Sequence, residues 1–125
     1  MSLLRFALVG CIGFIIDVLV FICCSFFLPV LLARGVAFWL AASSNWWCNR
    51  HFTFGASRKK KGLECGQYLC ASILGFVPNW GLYAYLQQAS AWAVQHPVLA
   101  LVPGILVAML LNYVLARCWV FARED

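Results

Sequence analysis

From Phe6 to Leu28 the chain is one apolar run in which Asp17 is the only charged side chain. A bilayer core about 30 Å thick is crossed by a helix of roughly 20 such residues, so this segment alone argues against a water-soluble fold. Three further apolar stretches follow: Leu31–Trp47, extending toward Arg50, then Tyr68–Leu86 and Pro97–Ala116. The expected fold is an all-α membrane protein of four transmembrane helices. Only Pro29 and Val30 separate the first two, which predicts a tight helical hairpin. The polar stretch Gly55–Gly66 is the one evident loop outside the membrane and carries Arg58, Lys59, Lys60 and Lys61. The tail Phe121–Asp125 is short and charged.

The chain is 65% apolar and 10% charged, with a mean hydropathy of +0.90. A soluble domain is nearer 45–50% apolar and 25% charged. At 125 residues the chain has room for a single transmembrane domain spanning 1–125. No segment is polar enough to form a water-facing shell, and no G-x-x-x-x-G-K-[ST] occurs. The expectation is therefore a protein that is not an enzyme, is not driven by ATP bound within this chain and has no cofactor. A secretory signal would have a shorter apolar run and an A-x-A-like cleavage site, so Phe6–Leu28 is expected to be retained.

The cations set an expected orientation. Arg5 precedes the first helix, Arg50 and Arg58–Lys61 follow the second, and Arg117 and Arg123 follow the fourth, with Arg34 alone near the other side. By the positive-inside rule both termini and the middle loop are cytoplasmic. The net charge of +5 then reflects anionic lipid headgroups rather than nucleic acid. The seven cysteines include no C-x-x-C pair, and most fall within apolar runs. They are expected to pack as small free hydrophobes, with Cys65 in the loop. His51 and His96 fall on opposite sides and cannot share a metal ion.

An internal repeat runs through the chain. Gly13-Phe14 with Asp17 aligns with Gly75-Phe76 and Asn79. Asn45, Arg50 and Phe54 align with Asn112, Arg117 and Phe121. Each unit holds two helices, so repeat one (about 5–54) and repeat two (about 67–121) run parallel, joined by the basic loop 55–66. Repeat-built transporters place their sites near the repeat interface.

Within these helices the polar residues matter most, since a charge near the bilayer centre costs about 2.5–3.5 kcal/mol on insertion scales. Asp17 has two uses open to it, a hydrogen bond to Asn45, Asn79 or Asn112 that holds helices together, or a place in a substrate site. Asn45 and Asn49 are four apart and share one helix face. Arg50 and Arg117 are either flank cations that fix topology or bidentate donors to a lipid phosphate. The candidate substrate-binding residues are thus Asp17, Asn45, Asn49, Arg50, Asn79, Asn112 and Arg117. Trp46, Trp47, Phe52, Phe54, Trp92, Trp119 and Phe121 suit interfacial belts. Gly10, Gly13, Ala37, Ala41 and Ala42 suit close helix packing.

The opening Arg5-Phe6-Ala7-Leu8-Val9-Gly10 with Gly13-Phe14 and Asp17, and the ending Asn45-x-x-x-Asn49-Arg50-His51-Phe52-Thr53-Phe54, resemble the GtrA-like family. Asn112 and Arg117-Cys118-Trp119-Val120-Phe121 fit as well, although Ala116 stands where a second Asn-Arg pair would begin. The resemblance covers essentially the whole chain. It implies a small four-helix protein of the bacterial inner membrane that moves a polyprenyl-phosphate-linked sugar to the outer leaflet. It also implies a polyprenyl-phosphate glycosyltransferase in the same pathway of cell-surface polysaccharide synthesis. Because four helices enclose little space, a homo-oligomer is a further expectation. Two other readings stay open. One is a non-transporting subunit that anchors the glycosyltransferase. The other is a small proton-coupled cation or drug antiporter built around Asp17, although small multidrug transporters lack the basic loop and the Asn-Arg aromatic ending.

Overall fold

The computed structural model describes residues 2–123, so Glu124 and Asp125 of the charged tail lie outside the described residues. Among those residues there is no strand. The helices are α1 (Ser2–Ser25), α2 (Val30–Cys48), α3 (Lys61–Ala89), the short α4 (Ala91–Gln95) and α5 (Pro97–Leu115). Two five-residue π-helical segments, Asn49–Thr53 and Ala116–Val120, prolong α2 and α5.

Three helical stretches are long and apolar enough to cross a membrane: Ser2–Ser25, Lys61–Ala89 and Pro97–Val120. By that measure α2 does not join them, because Arg34 and the run Ser43-Ser44-Asn45 dilute its 19 residues. The largest difference from the sequence expectation lies in the loop. Helix α3 starts at Lys61, so Lys61–Gly66 is helical and Cys65 belongs to a helix, not to a loop. Its first turns are too polar for hydropathy to separate from a connection, yet they bury Glu64 and Tyr68 on one helix face.

The helices pair as α1 with α2 and α3 with α5, and the pairs meet through α2–α3 and, more sparingly, α1–α5. Among the described residues, no Cα atoms of the diagonal pairs α1–α3 and α2–α5 come within 8 Å of each other. The first hairpin turns at Phe26–Pro29, where the Phe27 and Leu28 amides return to the Cys24 carbonyl at 3.0 and 2.8 Å. Pro97 opens α5 at a position where a missing N–H costs nothing.

Small side chains bring the helices of each hairpin together. Ala33, Ala37 and Ala41 of α2 are buried at four-residue spacing, and Ala100, Gly104 and Ala108 of α5 repeat that register. In lipid there is little hydrophobic drive between helices, so such stripes act by allowing close van der Waals approach. Gly13 sits in this seam as expected, but Gly10 faces open space. Large apolar side chains such as Phe14, Leu19, Phe76 and Val98 point outward, which is the arrangement a lipid solvent favours. Cys11, Cys23, Cys70 and Cys118 are likewise exposed, so these four do not serve as buried packing groups.

Candidate functional site

The two π segments explain why the chain repeats an aromatic ending. In each, the amide of a terminal Phe bonds back five residues, Phe54 to the Asn49 carbonyl at 2.9 Å and Phe121 to the Ala116 carbonyl at 2.8 Å. Widening the last turn in this way swings both Phe rings inward, where they stack 5.2 Å apart at an interplanar angle of 17°. Phe6 and Tyr113 close on Phe54 from α1 and α5 at 6.0 and 5.8 Å, and Tyr68 reaches Phe121 at 6.1 Å. With Ala71, Ala116 and Val120 these residues form the core that joins the hairpins. π-Helical turns are rare and are frequent at functional sites.

Beside this core lies Glu64, a fully buried carboxylate that the sequence reading missed. Arg50 Nη1 donates to Glu64 Oε1 at 2.5 Å and Trp46 Nε1 donates to the same oxygen at 3.0 Å. The Ser57 amide donates to Oε2 at 3.0 Å, and the Ser57 hydroxyl donates there too. Both carboxylate oxygens are thus satisfied, close to the capacity of an ionised Glu. The Arg50 side chain is itself only 10% exposed, so α2 and α3 are tied by a buried ion pair. Arg50 is therefore neither a free flank cation nor an open anion site in this state. The signal for Glu64 was present in periodicity: Glu64, Tyr68, Ala71 and Gly75 follow helical spacing and are all buried.

Asn49 belongs to the same junction. It is 1% exposed, donates from Nδ2 to the Tyr68 hydroxyl at 2.9 Å and accepts from Thr53 Oγ1 at 2.8 Å. Lys59 crosses to the other hairpin, with Nζ donating to Gln67 Oε1 at 3.0 Å and to the carbonyls of Val120, at 3.3 Å, and Trp119. It thereby caps the second π segment. Every side-chain hydrogen bond and ring contact between the hairpins, among the described residues, lies at this end. Arg5, Arg58, Lys60, Lys61 and Arg117 surround it, exposed and without an ion pair among the described residues. Arg117 only grazes the Tyr113 hydroxyl at 3.4 Å.

The other candidate residues are dispersed. Asn45 lies against Gly13 and Asn112 against Gly75, so each hairpin holds the same glycine–amide contact. Both Oδ1 atoms are buried without a conventional partner, and the bare glycine Cα–H groups are their neighbours. Asn79 packs on Gly104. Asp17 meets none of the three asparagines. Its partner is Arg34 at 3.5 Å, whose guanidinium also lies 5.0 Å from the Phe21 ring centre. Asp17 and Asn79 lie on α1 and α3, whose Cα atoms nowhere come within 8 Å among the described residues, so no seam joins the two side chains.

A family model described as "GtrA/DPMS, transmembrane domain" matches residues 5–121. No curated protein and no solved structure matches the chain.

Proposed function

The chain belongs to the GtrA/DPMS transmembrane-domain family, and on that premise we propose that it is a flippase. It carries a polyprenyl-phosphate-linked sugar from the cytoplasmic to the outer leaflet of a bacterial inner membrane, without changing the lipid covalently. A polyprenyl-phosphate glycosyltransferase supplies the lipid on the cytoplasmic side, and a second transferase consumes it outside. The observation that carries this reading is the cluster of cations around the hairpin junction, none with an ion pair among the described residues except Arg50, since a lipid phosphate gathers where positive charge meets the headgroup layer.

In this reading α2 is the fourth crossing and the hairpins are parallel repeats. Support comes from the recurrence of the small-residue register, of the glycine–amide contact and of the π-helical ending. Both termini and Arg58–Lys61 are then cytoplasmic, as the distribution of cations favours. A single cysteine placed at Arg58 in a cysteine-free variant should resist an impermeant maleimide applied to intact cells and react after permeabilisation. Reaction in intact cells would reverse the orientation.

Arg50 takes part by exchanging partners. Arriving phosphate offers the guanidinium a second carboxylate-like acceptor, and loosening of the Arg50–Glu64 pair lets the hairpins part while the tail stays in lipid. The antiporter alternative is weaker because Asp17 already has a cationic partner in Arg34. The decisive measurement is transbilayer movement of a short-chain fluorescent polyprenyl-phosphate hexose in proteoliposomes, read by impermeant quenching. Faster equilibration than in protein-free liposomes is expected. Equal rates would remove the flippase reading and leave the anchoring role for the glycosyltransferase.

A further inference from the structure

Away from the basic end, α3 carries a second polar feature. Asn79, Tyr83 and Gln87 recur every four residues and so share one helix face. Phe76 and Trp80 run beside them with ring centres 6.2 Å apart. With Leu101 of α5 these side chains line a groove of about 400 Å³, within the size range of small-molecule sites. No side-chain hydrogen bond among the described residues engages Asn79 or Tyr83, while Gln87 Nε2 donates to the Ala93 carbonyl at 2.9 Å. Uncharged polar groups in an apolar setting are costly unless a partner satisfies them.

The chemistry of the groove selects its occupant. It has no charged side chain among its lining residues, so it lacks the cation that makes a phosphate contact strong. It does offer amide and phenol groups, which both donate and accept, next to a broad indole face on Trp80, a residue 64% exposed. A sugar ring presents hydroxyls at its edge and a C–H face that packs by dispersion on an aromatic plane. Asn79 is fifteen residues beyond Glu64, about 22 Å along the helix, far beyond the reach of a phosphate bonded directly to one sugar. The groove and the Arg50 junction therefore cannot hold the same headgroup at once.

We propose that this groove is the exit-side binding site for the sugar of the lipid-linked substrate, occupied after the headgroup has left the basic end. The inference rests on the flippase reading above. It makes α3 a track with a phosphate-attracting end and a sugar-holding end.

The test uses the full chain in nanodiscs and radiolabelled lipids: bare polyprenyl phosphate and its glucose, mannose and galactose conjugates, with free methyl glycosides as competitors. Wild type should prefer at least one conjugate over the bare lipid by about tenfold, the range one or two net hydrogen bonds provide. Asn79→Leu with Tyr83→Phe should reduce that preference to about twofold without changing affinity for the bare lipid. Trp80→Leu should do the same, and since Trp80 is exposed it leaves the α3–α5 seam intact even if Asn79→Leu disturbs Gly104. A preference kept by both variants, or absent from wild type that still binds bare lipid, overturns the groove and spares the flippase reading. Binding of no lipid at all overturns both. A methyl glycoside that competes as well as the unlabelled conjugate overturns the assignment to a lipid-linked sugar.

Discussion

Glu64→Ala should lower the unfolding free energy of the detergent-solubilised protein by about 3–5 kcal/mol, the usual cost of removing one partner from a buried ion pair. Glu64 is fully buried and Arg50 nearly so, so the orphaned guanidinium cannot turn to solvent without opening the junction. Trp46, Ser57 and Arg50 all lose their acceptor together. Glu64→Gln, which keeps the shape and part of the acceptor capacity, should fall between. The double variant Arg50→Met with Glu64→Leu should recover much of the loss, because replacing both charges by apolar groups is often neutral or better. Denaturant titration followed by tryptophan fluorescence measures each. An unchanged midpoint for Glu64→Ala would mean that the pair does not hold the hairpins together.

The second large effect separates glycines that look alike in sequence. A Cβ at Gly13 collides with the Asn45 amide, and one at Gly75 with the Asn112 amide. Overpacking of this kind costs about 1–3 kcal/mol. In both cases the obstacle is the end of a side chain, so Asn45→Ala should largely rescue Gly13→Ala, and Asn112→Ala should rescue Gly75→Ala. Gly104 differs. A Cβ there would lie 2.6 Å from the Asn79 carbonyl oxygen and 3.2 Å from its Cα. Backbone cannot be truncated, so Asn79→Ala should fail to rescue Gly104→Ala, which must push α3 and α5 apart. Thermal unfolding of the three single and three double variants gives the answer. Rescue at Gly104 to the same degree as at Gly13 would show that the helices of the second hairpin yield easily.

The sequence was legible where the signal is one-dimensional. Hydropathy found each long helix to within a few residues, except at the start of α3, because transfer of apolar side chains to lipid depends on local composition alone. The matching endings Asn45 to Phe54 and Asn112 to Phe121 were visible too. Their purpose was not, since a π turn differs from an α turn by one hydrogen-bond step and leaves no mark on composition. Asp17 was legible as an unusual acid, but Arg34 was not legible as its partner. That pairing depends on how α1 and α2 fold back at Phe26–Pro29.

What the sequence determined by itself is the class of molecule: a chain too apolar for water, with helices of membrane length and every cation but Arg34 flanking the same ends of its apolar runs. Those properties follow from side-chain chemistry summed over short windows, and no particular packing can reverse them. Tertiary structure decided which polar groups meet. It took Glu64 from what reads as a basic loop and buried it against Arg50. It turned Asn45 and Asn112 to their glycines instead of to Asp17, and it kept Asn79 a helix pair away from α1. Such choices depend on the register between helices, where a shift of one residue turns a side chain by about 100°. Close approach at Gly13, Gly75 and Gly104 fixes that register, and only the folded pair of hairpins contains it.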